Sequence, residues 1–349
     1  MEVKLIINAR FLTQQTTGVQ RFATEISRIL KKQYNEIVFV APHNIIQHEV
    51  AAELNVTIVG SNTGALWEQL DLPLYLKRNG TPLLVNFANT APLLYTKQIV
   101  TIHDVAFKVN PRWFSKGFAL FYNFLIPNII KRSSAIITVS NFSKSEIIKY
   151  YKVPDNKVFV VYNGVIDFNG TNAKNSHGKY LLCVGSIDER KNLSTLISAF
   201  NSLNQTDLKL LITGDKNSVF NVSIDGKSTD NNNIVFTGRV SDEDLSSLYR
   251  NATMFIYPSL YEGFGIPPIE AMYFNCPTIV SDIPSLKETC GDASLYFQSI
   301  DYKDLKKKIA LLINNNDLRE RLIERGNINL KRFSWERSAH KVIDIINTK

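Results

Sequence analysis

The stretch 261–271 reads YEGFGIPPIEA and sets two carboxylates, Glu262 and Glu270, eight positions apart. Two glycines and two prolines lie between them. Pro267 and Pro268 suit the first turn of a helix, where a missing N–H removes no bond. This puts Glu262 in the loop before the helix and Glu270 in its first turn. An acid there also complements the helix dipole, an effect of about 0.3–1 kcal/mol. Gly263 and Gly265 permit unusual backbone angles and close approach of a ligand. The amides of Gly263, Phe264, Gly265 and Ile266 can then face a sugar or phosphate oxygen. A carboxylate accepts from two hydroxyls at once. Together these groups suit a polyhydroxylated, phosphorylated ligand.

A second set lies in GSIDERKNLSTLISAF (185–200), where Arg190 and Lys191 stand beside an expected helix start near Asn192. Helix N-termini expose unpaired N–H groups that favour anions. A guanidinium and an ammonium beside one make a diphosphate site. In the first half, TTGVQRFA (16–23) puts Gly18 at the head of a helix, and VTIHDVAF (100–107) puts His103 and Asp104 just after a strand. Histidine suits hydrogen bonding or proton transfer near neutral pH. Asp104 can orient it or meet an acceptor hydroxyl. The pair Asp242-x-Asp244 opens a helix with Ser241 or Asp242 as its cap, so capping is expected there and not metal binding. The five histidines lack metal-ligand spacing and no GxGxxG occurs, so neither a catalytic metal nor a dinucleotide oxidoreductase is expected.

Such groups need a scaffold. Short β-branched runs at 3–8, 36–40, 56–60, 83–87, 99–103 and 135–140 alternate with helical periodicity at 18–33, 64–78 and 143–152. The alternation restarts with strands at 180–185, 208–214, 233–238, 254–259, 277–281 and 293–297. Helices are expected near 192–203, 242–251, 267–275, 301–314 and 317–330. This predicts an α/β fold of two doubly wound, Rossmann-like domains, with parallel sheets covered on both faces. A polar, Asn/Gly-rich segment after Asn163-Gly164 reads as the linker. The expected domains are 1–165 and 166–332, with a terminal helix (333–349) capped by Ser334 and packing back on the first. Ligands of such sheets bind beyond the carboxyl ends of the strands, which directs attention to a central cleft faced by both domains.

Composition narrows the classes. With 349 residues, 44% hydrophobic and 21% charged, the chain has ample core for a globular fold. No apolar run is long enough to span a bilayer and the start lacks a signal-peptide pattern. The three cysteines have no CxxC spacing, which fits a reducing cytosolic compartment. The net charge is +8; residues 1–165 hold 18 basic and 10 acidic residues, so the first half carries the whole excess. That asymmetry suggests an anionic partner. PRWFSKGFALFYNFLIPNIIKRS (111–133), aromatic-rich with basic ends, reads either as a membrane-surface helix or as a core helix broken at Pro127.

GSIDERKN, VFTGRVSDEDLSSLY and PSLYEGFGIPPIEAMYFNCPTIVSDIPSLKETCGDASLYF resemble the retaining GT-B glycosyltransferases of the large group-one family, family four. TTGVQRFATEI, TVSNFSKSEIIKYY, VVYNGV and FSWERSAHKVI extend the likeness over nearly the whole chain. The Glu262-x7-Glu270 element is the hallmark. The resemblance implies that Glu270 binds the ribose, and that Glu262 meets the donor sugar as a catalytic residue. It implies that residues 263–266 hold the sugar and diphosphate, and that Arg190 and Lys191 neutralise the leaving diphosphate. Gly18 would approach that diphosphate, His103 and Asp104 the reaction centre, and Val240 the base. The implied enzyme is a hexosyltransferase moving a mannose-, glucose-, rhamnose- or related-type hexose from a UDP- or GDP-sugar to a glycan or lipid-linked glycan. No cofactor or metal is implied. O-antigen or capsule-type assembly at the inner face of the cytoplasmic membrane would be the setting, with peripheral contact to anionic lipid. Alternatives are a GT-B sugar-nucleotide epimerase, a phosphorylase, or a non-enzymatic polyanion binder. Nucleic acid is not expected, because the basic residues lack a motif of stacking aromatics.

Overall fold

The computed structural model describes residues 5–34, 36–165, 177–215 and 231–349. The linker segment read after Asn163-Gly164 falls mostly on 166–176, outside the described residues. Among those described, one parallel sheet contains β1 (Leu5–Asn8), β2 (Ile37–Ala41), β3 (Thr57–Ile58), β4 (Leu83–Asn86), β5 (Gln98–Thr101), β6 (Ala135–Thr138) and β7 (Val158–Val160). Their spatial order is β3-β2-β1-β4-β5-β6-β7. A second parallel sheet contains β8 (Lys179–Val184), β9 (Leu208–Thr213), β10 (Ile234–Gly238), β11 (Met254–Tyr257), β12 (Thr278–Ser281) and β13 (Ser294–Phe297). Its order is β10-β9-β8-β11-β12-β13. The order in which strands are added to the sheet reverses between β1 and β4 and again between β8 and β11. Those two gaps are the switch points where loops diverge and leave room for a ligand.

Two compact units result. The first comprises Met1–Lys108, Leu120–Gly164 and Ser334–Lys349; the second comprises Val109–Ala119 and Val165–Phe333. Val109–Ala119, read from sequence as part of the first domain, therefore groups with the second. There the Trp113 ring lies 6.2 Å from that of Tyr261. In the first unit the terminal helix (Trp335–Asn347) packs on the helix Gly18–Gln33. Ser334 caps it by accepting from the Arg337 amide. The Ser338 hydroxyl donates to the Tyr162 carbonyl at 2.6 Å, and Trp335 meets Phe22 edge-on at 6.1 Å. A Cβ on Gly164 would come within 2.6 Å of Trp335, so the chain can pass there only as glycine.

Each sheet is buried by helices. In the first unit Ile6, Val40 and Leu84 pack with Trp67, Leu72 and Leu76 of the stretch 64–78. In the second, Leu181, Leu210, Ile256 and Ile279 pack with Leu196, Ile197, Leu305 and Ile309. Cys183, Cys276 and Cys290 are buried thiols without disulfides. Burial pushes Cys183 up to about 12 and Cys290 up to about 11.

Four elements depart from the sequence reading. Lys116–Arg132 is one helix with Pro127 inside it, not broken there. Leu125, Ile126, Ile129 and Ile130 around the proline are buried. Their packing offsets the roughly 3 kcal/mol that an interior proline costs. That helix is not buried all round, since Leu120 and Phe124 face solvent. The stretch 64–78 is helical throughout but takes a π turn over Trp67–Asp71. Short helices at His48–Leu54 and Pro284–Cys290 carry too few periodic residues to read from sequence.

Candidate active site

The loops after β8 and β11 leave adjacent parallel strands at the switch point of the second sheet. After β8, Asp188 accepts from the Lys191 amide at 3.3 Å, which starts a single 3-10 turn, Glu189–Lys191. The Ser186 hydroxyl donates to the other Asp188 oxygen at 2.5 Å. Asn192 follows in the left-handed region, φ 53°, and its side-chain amide donates to the Pro258 carbonyl at 3.0 Å. The next helix, Leu193–Asn201, begins only then. Arg190 and Lys191 thus sit on their own turn, anchored to the neighbouring loop. The Leu260 amide donates to the Arg190 carbonyl at 2.8 Å, and Arg190 Nη1 donates to the Tyr261 carbonyl at 3.0 Å.

Both cations converge on one oxygen. Glu262 Oε1 lies 2.6 Å from Lys191 Nζ and 2.9 Å from Arg190 Nη1. Lys191 Nζ also donates to the Tyr257 hydroxyl at 2.6 Å and lies over that ring, 4.7 Å from its centroid. Asp188, with its side chain fully buried, supplies a second negative charge 3.9 Å from Arg190 Nε. Two cations and two anions make the buried cluster electrically neutral, which is the condition for desolvating it. Burial alone would raise the Glu262 carboxyl, but Arg190 and Lys191 overcome it and hold it down at about 2. Burial, helped by the Arg190 charge, draws Lys191 below its ordinary value, partly against Glu262. Burial, followed by the Glu262 charge, keeps the Tyr257 phenol protonated. Gly185 is positioned so that a Cβ would approach Lys191 Cε to 3.2 Å.

Gly263, Phe264 and Gly265 are buried. Phe264 turns its ring edge-on to Phe333 at 5.4 Å, so its backbone and not its side chain is suited to meet a ligand. Gly265 has φ 94° and its missing Cβ leaves space that Leu286 otherwise closes at 2.5 Å. The helix starts at Ile266, so Glu270 is its fifth residue and the first turn holds no acid. This corrects the first-turn placement expected from sequence: the left-handed Gly265 lets the helix begin one residue before Pro267. Glu270 is buried and accepts from the Tyr249 hydroxyl at 3.1 Å. Tyr249 in turn stacks on Phe274 at 5.6 Å. Half-buried Val240 lies between Gly238, φ 69°, and Ser241. Ser241, not Asp242, is the cap of the helix Asp242–Asn251, accepting from the Asp244 amide at 3.1 Å.

In the first unit, exposed Gly18 opens the helix Gly18–Gln33, where the Thr17 amide donates to Gln20 Oε1 at 3.2 Å. His103 follows β5 and is buried. Its Nε2 lies 2.9 Å from the Phe87 carbonyl and its amide donates to Asn89 Oδ1 at 2.8 Å. Phe22 stands edge-on to the ring at 5.2 Å. A carbonyl only accepts, so Nε2 carries the proton and Nδ1 is the basic nitrogen of the neutral ring. Burial lowers the imidazole below its ordinary value, against the Phe87 bond and the Asp104 charge. Asp104 Oδ1 accepts from the Ala106 amide at 2.9 Å.

Sequence reasoning missed several members of these clusters. Asp188 was legible as a cap three residues before Lys191. Tyr257 and Tyr249 carried no signal, because a tyrosine in a strand or helix reads as core. Also unforeseen is the polar cluster at the first switch point. Buried Asn8 donates to both Asn86 Oδ1 and Glu68 Oε1 at 2.9 Å, and Arg10 Nε donates to the same Glu68 oxygen at 3.1 Å.

Similar proteins give this geometry a family. Residues 167–328 match the description "Glycosyl transferases group 1", and residues 16–167 match "Glycosyltransferase Family 4". O-antigen chain mannosyltransferase RfbU of Salmonella typhimurium is 32% identical over 245 residues, 69% of this chain and 67% of its own length. O-antigen chain mannosyltransferase B of Escherichia coli is 29% identical over 264 residues, 71% and 69% respectively. The fold is shared with Anabaena Alr3699/HepE, whose crystal structure was determined with UDP-glucose. The TM-score is 0.77 at 14% identity, over 99% of this chain and 100% of that one. With two Rossmann-like sheets of this order and family matches running from residue 16 to 328, the chain belongs to the group-one, family-four GT-B glycosyltransferases and is a hexosyltransferase.

Proposed function

We propose that the protein transfers a hexose from a UDP- or GDP-sugar to a hydroxyl of a glycan or lipid-linked glycan, with retention of configuration, in bacterial surface polysaccharide assembly. The observation that carries this is the meeting of Arg190, Lys191 and Glu262 at the second switch point. Both O-antigen relatives are named mannosyltransferases, which favours a mannose-type hexose among the candidates.

Roles follow from chemistry. As the glycosidic bond breaks, negative charge grows on the leaving diphosphate, and fixed cations lower that barrier. An ammonium has three donors; Glu262 and Tyr257 take two, leaving the third direction of Lys191 for a phosphate oxygen. A carboxylate held near 2 stays ionised at working pH, so Glu262 orients the cations and accepts from sugar hydroxyls and does not act as a general acid. Glu270 accepts from the ribose hydroxyls, and the amides of 263–266 face the sugar and diphosphate. Val240 lies at the base. Gly18, His103 and Asp104 are assigned to the diphosphate and reaction centre. The leaving phosphate assists a front-face route, and no metal or other cofactor enters. The setting we assign is the inner face of the cytoplasmic membrane, in contact with anionic lipid.

A donor panel read by free-nucleotide release, followed by NMR of the product linkage, tests this. Transfer is expected from one UDP- or GDP-hexose with the anomeric configuration kept. Epimerised donor in the absence of acceptor, or wild-type transfer in both Glu262→Ala and Glu270→Ala, would overturn it.

A further inference from the structure

Two helical stretches of the first unit, 64–78 and 120–132, turn leucine and phenylalanine to solvent. On 64–78, Trp67, Leu72 and Leu76 are buried, whereas Leu66, Leu70 and Leu74, one turn apart, are 49–62% exposed. On Lys116–Arg132, Leu120 is 75% and Phe124 62% exposed. The crossovers β3→β4 and β5→β6, which contain these helices, run in the same direction across the sheet. Right-handedness of both crossovers puts the helices on one face. The intervening loop ties them together. The Leu93 amide donates to Gln69 Oε1 at 2.8 Å and the Leu93 carbonyl accepts from Arg132 Nη1 at 2.9 Å. The next residue, Leu94, is 75% exposed.

The exposed charge on these stretches is of one sign. Residues 64–97 and 120–134 hold five lysines and arginines and two acids. Both acids are turned to protein partners. Buried Glu68 bonds Asn8 and Arg10, and Asp71 accepts from the amides of Ser61 and Asn62. Lys77, Arg78, Lys131 and Arg132 are exposed at the helix ends. No helix among the described residues is long and apolar enough to cross a membrane. Exposed apolar side chains on helices that end in exposed cations suit the interface of a bilayer with anionic headgroups.

We propose that this face, formed by Leu66, Leu70, Leu74, Leu94, Leu120 and Phe124, docks the protein on an anionic bilayer surface. It deepens the lipid-linked acceptor reading by naming the surface that would reach the lipid, and it uses none of the transfer residues.

The test is co-sedimentation with vesicles of phosphatidylcholine alone or with phosphatidylglycerol, at low and high salt. The wild type is compared with Leu70→Ser/Leu94→Ser/Phe124→Ser and with Lys77→Glu/Lys131→Glu. Melting curves confirm folding of each variant, and transfer to a water-soluble acceptor is measured alongside. Each basic residue near an anionic surface multiplies partitioning about fivefold. The wild type is therefore expected on phosphatidylglycerol vesicles only, with binding lost at high salt and reduced at least about tenfold in either variant. No wild-type binding at low salt, or variants that bind like the wild type, would overturn the proposal. So would a dimer in solution that the triple variant breaks apart without any vesicle binding. A wild type that binds vesicles but transfers nothing would sink the enzymatic reading and leave this one standing.

Discussion

Lys191 Nζ and Glu262 Oε1, 71 residues apart in sequence, lie 2.6 Å from one another. Arg190 reaches the same oxygen at 2.9 Å, so one carboxylate holds two buried cations. Removing it leaves both without that counter-charge. Breaking a buried ion pair from one side costs about 3–5 kcal/mol. Glu262→Ala is expected to melt well below the wild type and to lose transfer by about 100-fold or more. Lys191→Ala/Glu262→Ala should destabilise by less than the sum of the single variants. Strict additivity in a thermal-melt cycle would refute the coupling.

The same pair sets an acid dependence. The Glu262 carboxyl, near 4.5 in the unfolded chain, is held at about 2 in the fold. Its contribution is full above 4.5 and is lost as pH falls toward 2, on the order of 3 kcal/mol in all. Stability of the wild type should therefore decline more steeply between pH 4.5 and 2 than that of Glu262→Gln. Denaturant melts across that window check it; parallel slopes would count against the ion cluster.

Glu270 and Tyr249 separate binding from packing. Glu270→Ala should weaken nucleotide binding by about 10–100-fold, the effect of hydrogen bonds to a charged group. Tyr249→Phe keeps the stacked ring and removes only the hydroxyl that donates to Glu270. It is expected to change binding by less than about fivefold. Calorimetric titration with UDP and GDP reads both. A larger loss in Tyr249→Phe would transfer the role from the carboxylate to the phenol.

His103 is buried and its basicity is lowered mainly by desolvation. The unfolded histidine takes a proton near 6.5 that the buried one resists. Stability from this group is full above that value and is lost as pH falls below it. His103→Ala is expected to lower kcat more than it raises KM for the donor, and to flatten the pH dependence of stability just below 6.5. Unchanged turnover would remove His103 from the reaction centre.

Gly265→Ala meets two obstacles at once, φ 94° and Leu286 Cδ2 at 2.5 Å from the new Cβ. Left-handed strain and overpacking together should cost about 2–4 kcal/mol. Gly178→Ala, also at positive φ but with open space around it, should cost only about 1–2 kcal/mol. Equal melting temperatures for the two would refute the steric account.

Strand and helix periodicity, turn glycines and capping residues act within a few positions of sequence. They fixed the alternation of β and α, the two Rossmann-like halves and the loops that end at the switch points. The YEGFGIPPIEA and GSIDERKN stretches were legible for the same reason: local backbone chemistry places their groups at strand ends. Only the tertiary structure joined them. Strand order puts β8 beside β11, and so Lys191 against Glu262 and Tyr257. It likewise put Asn8 beside Asn86 and brought Glu68 and Arg10 to them. Such contacts span tens of residues and depend on burial, which sets both the desolvation of each charge and the partner that compensates it. The Pro127 helix makes the same point in reverse: a local rule predicted a break, and burial of the apolar side chains around the proline outweighed it.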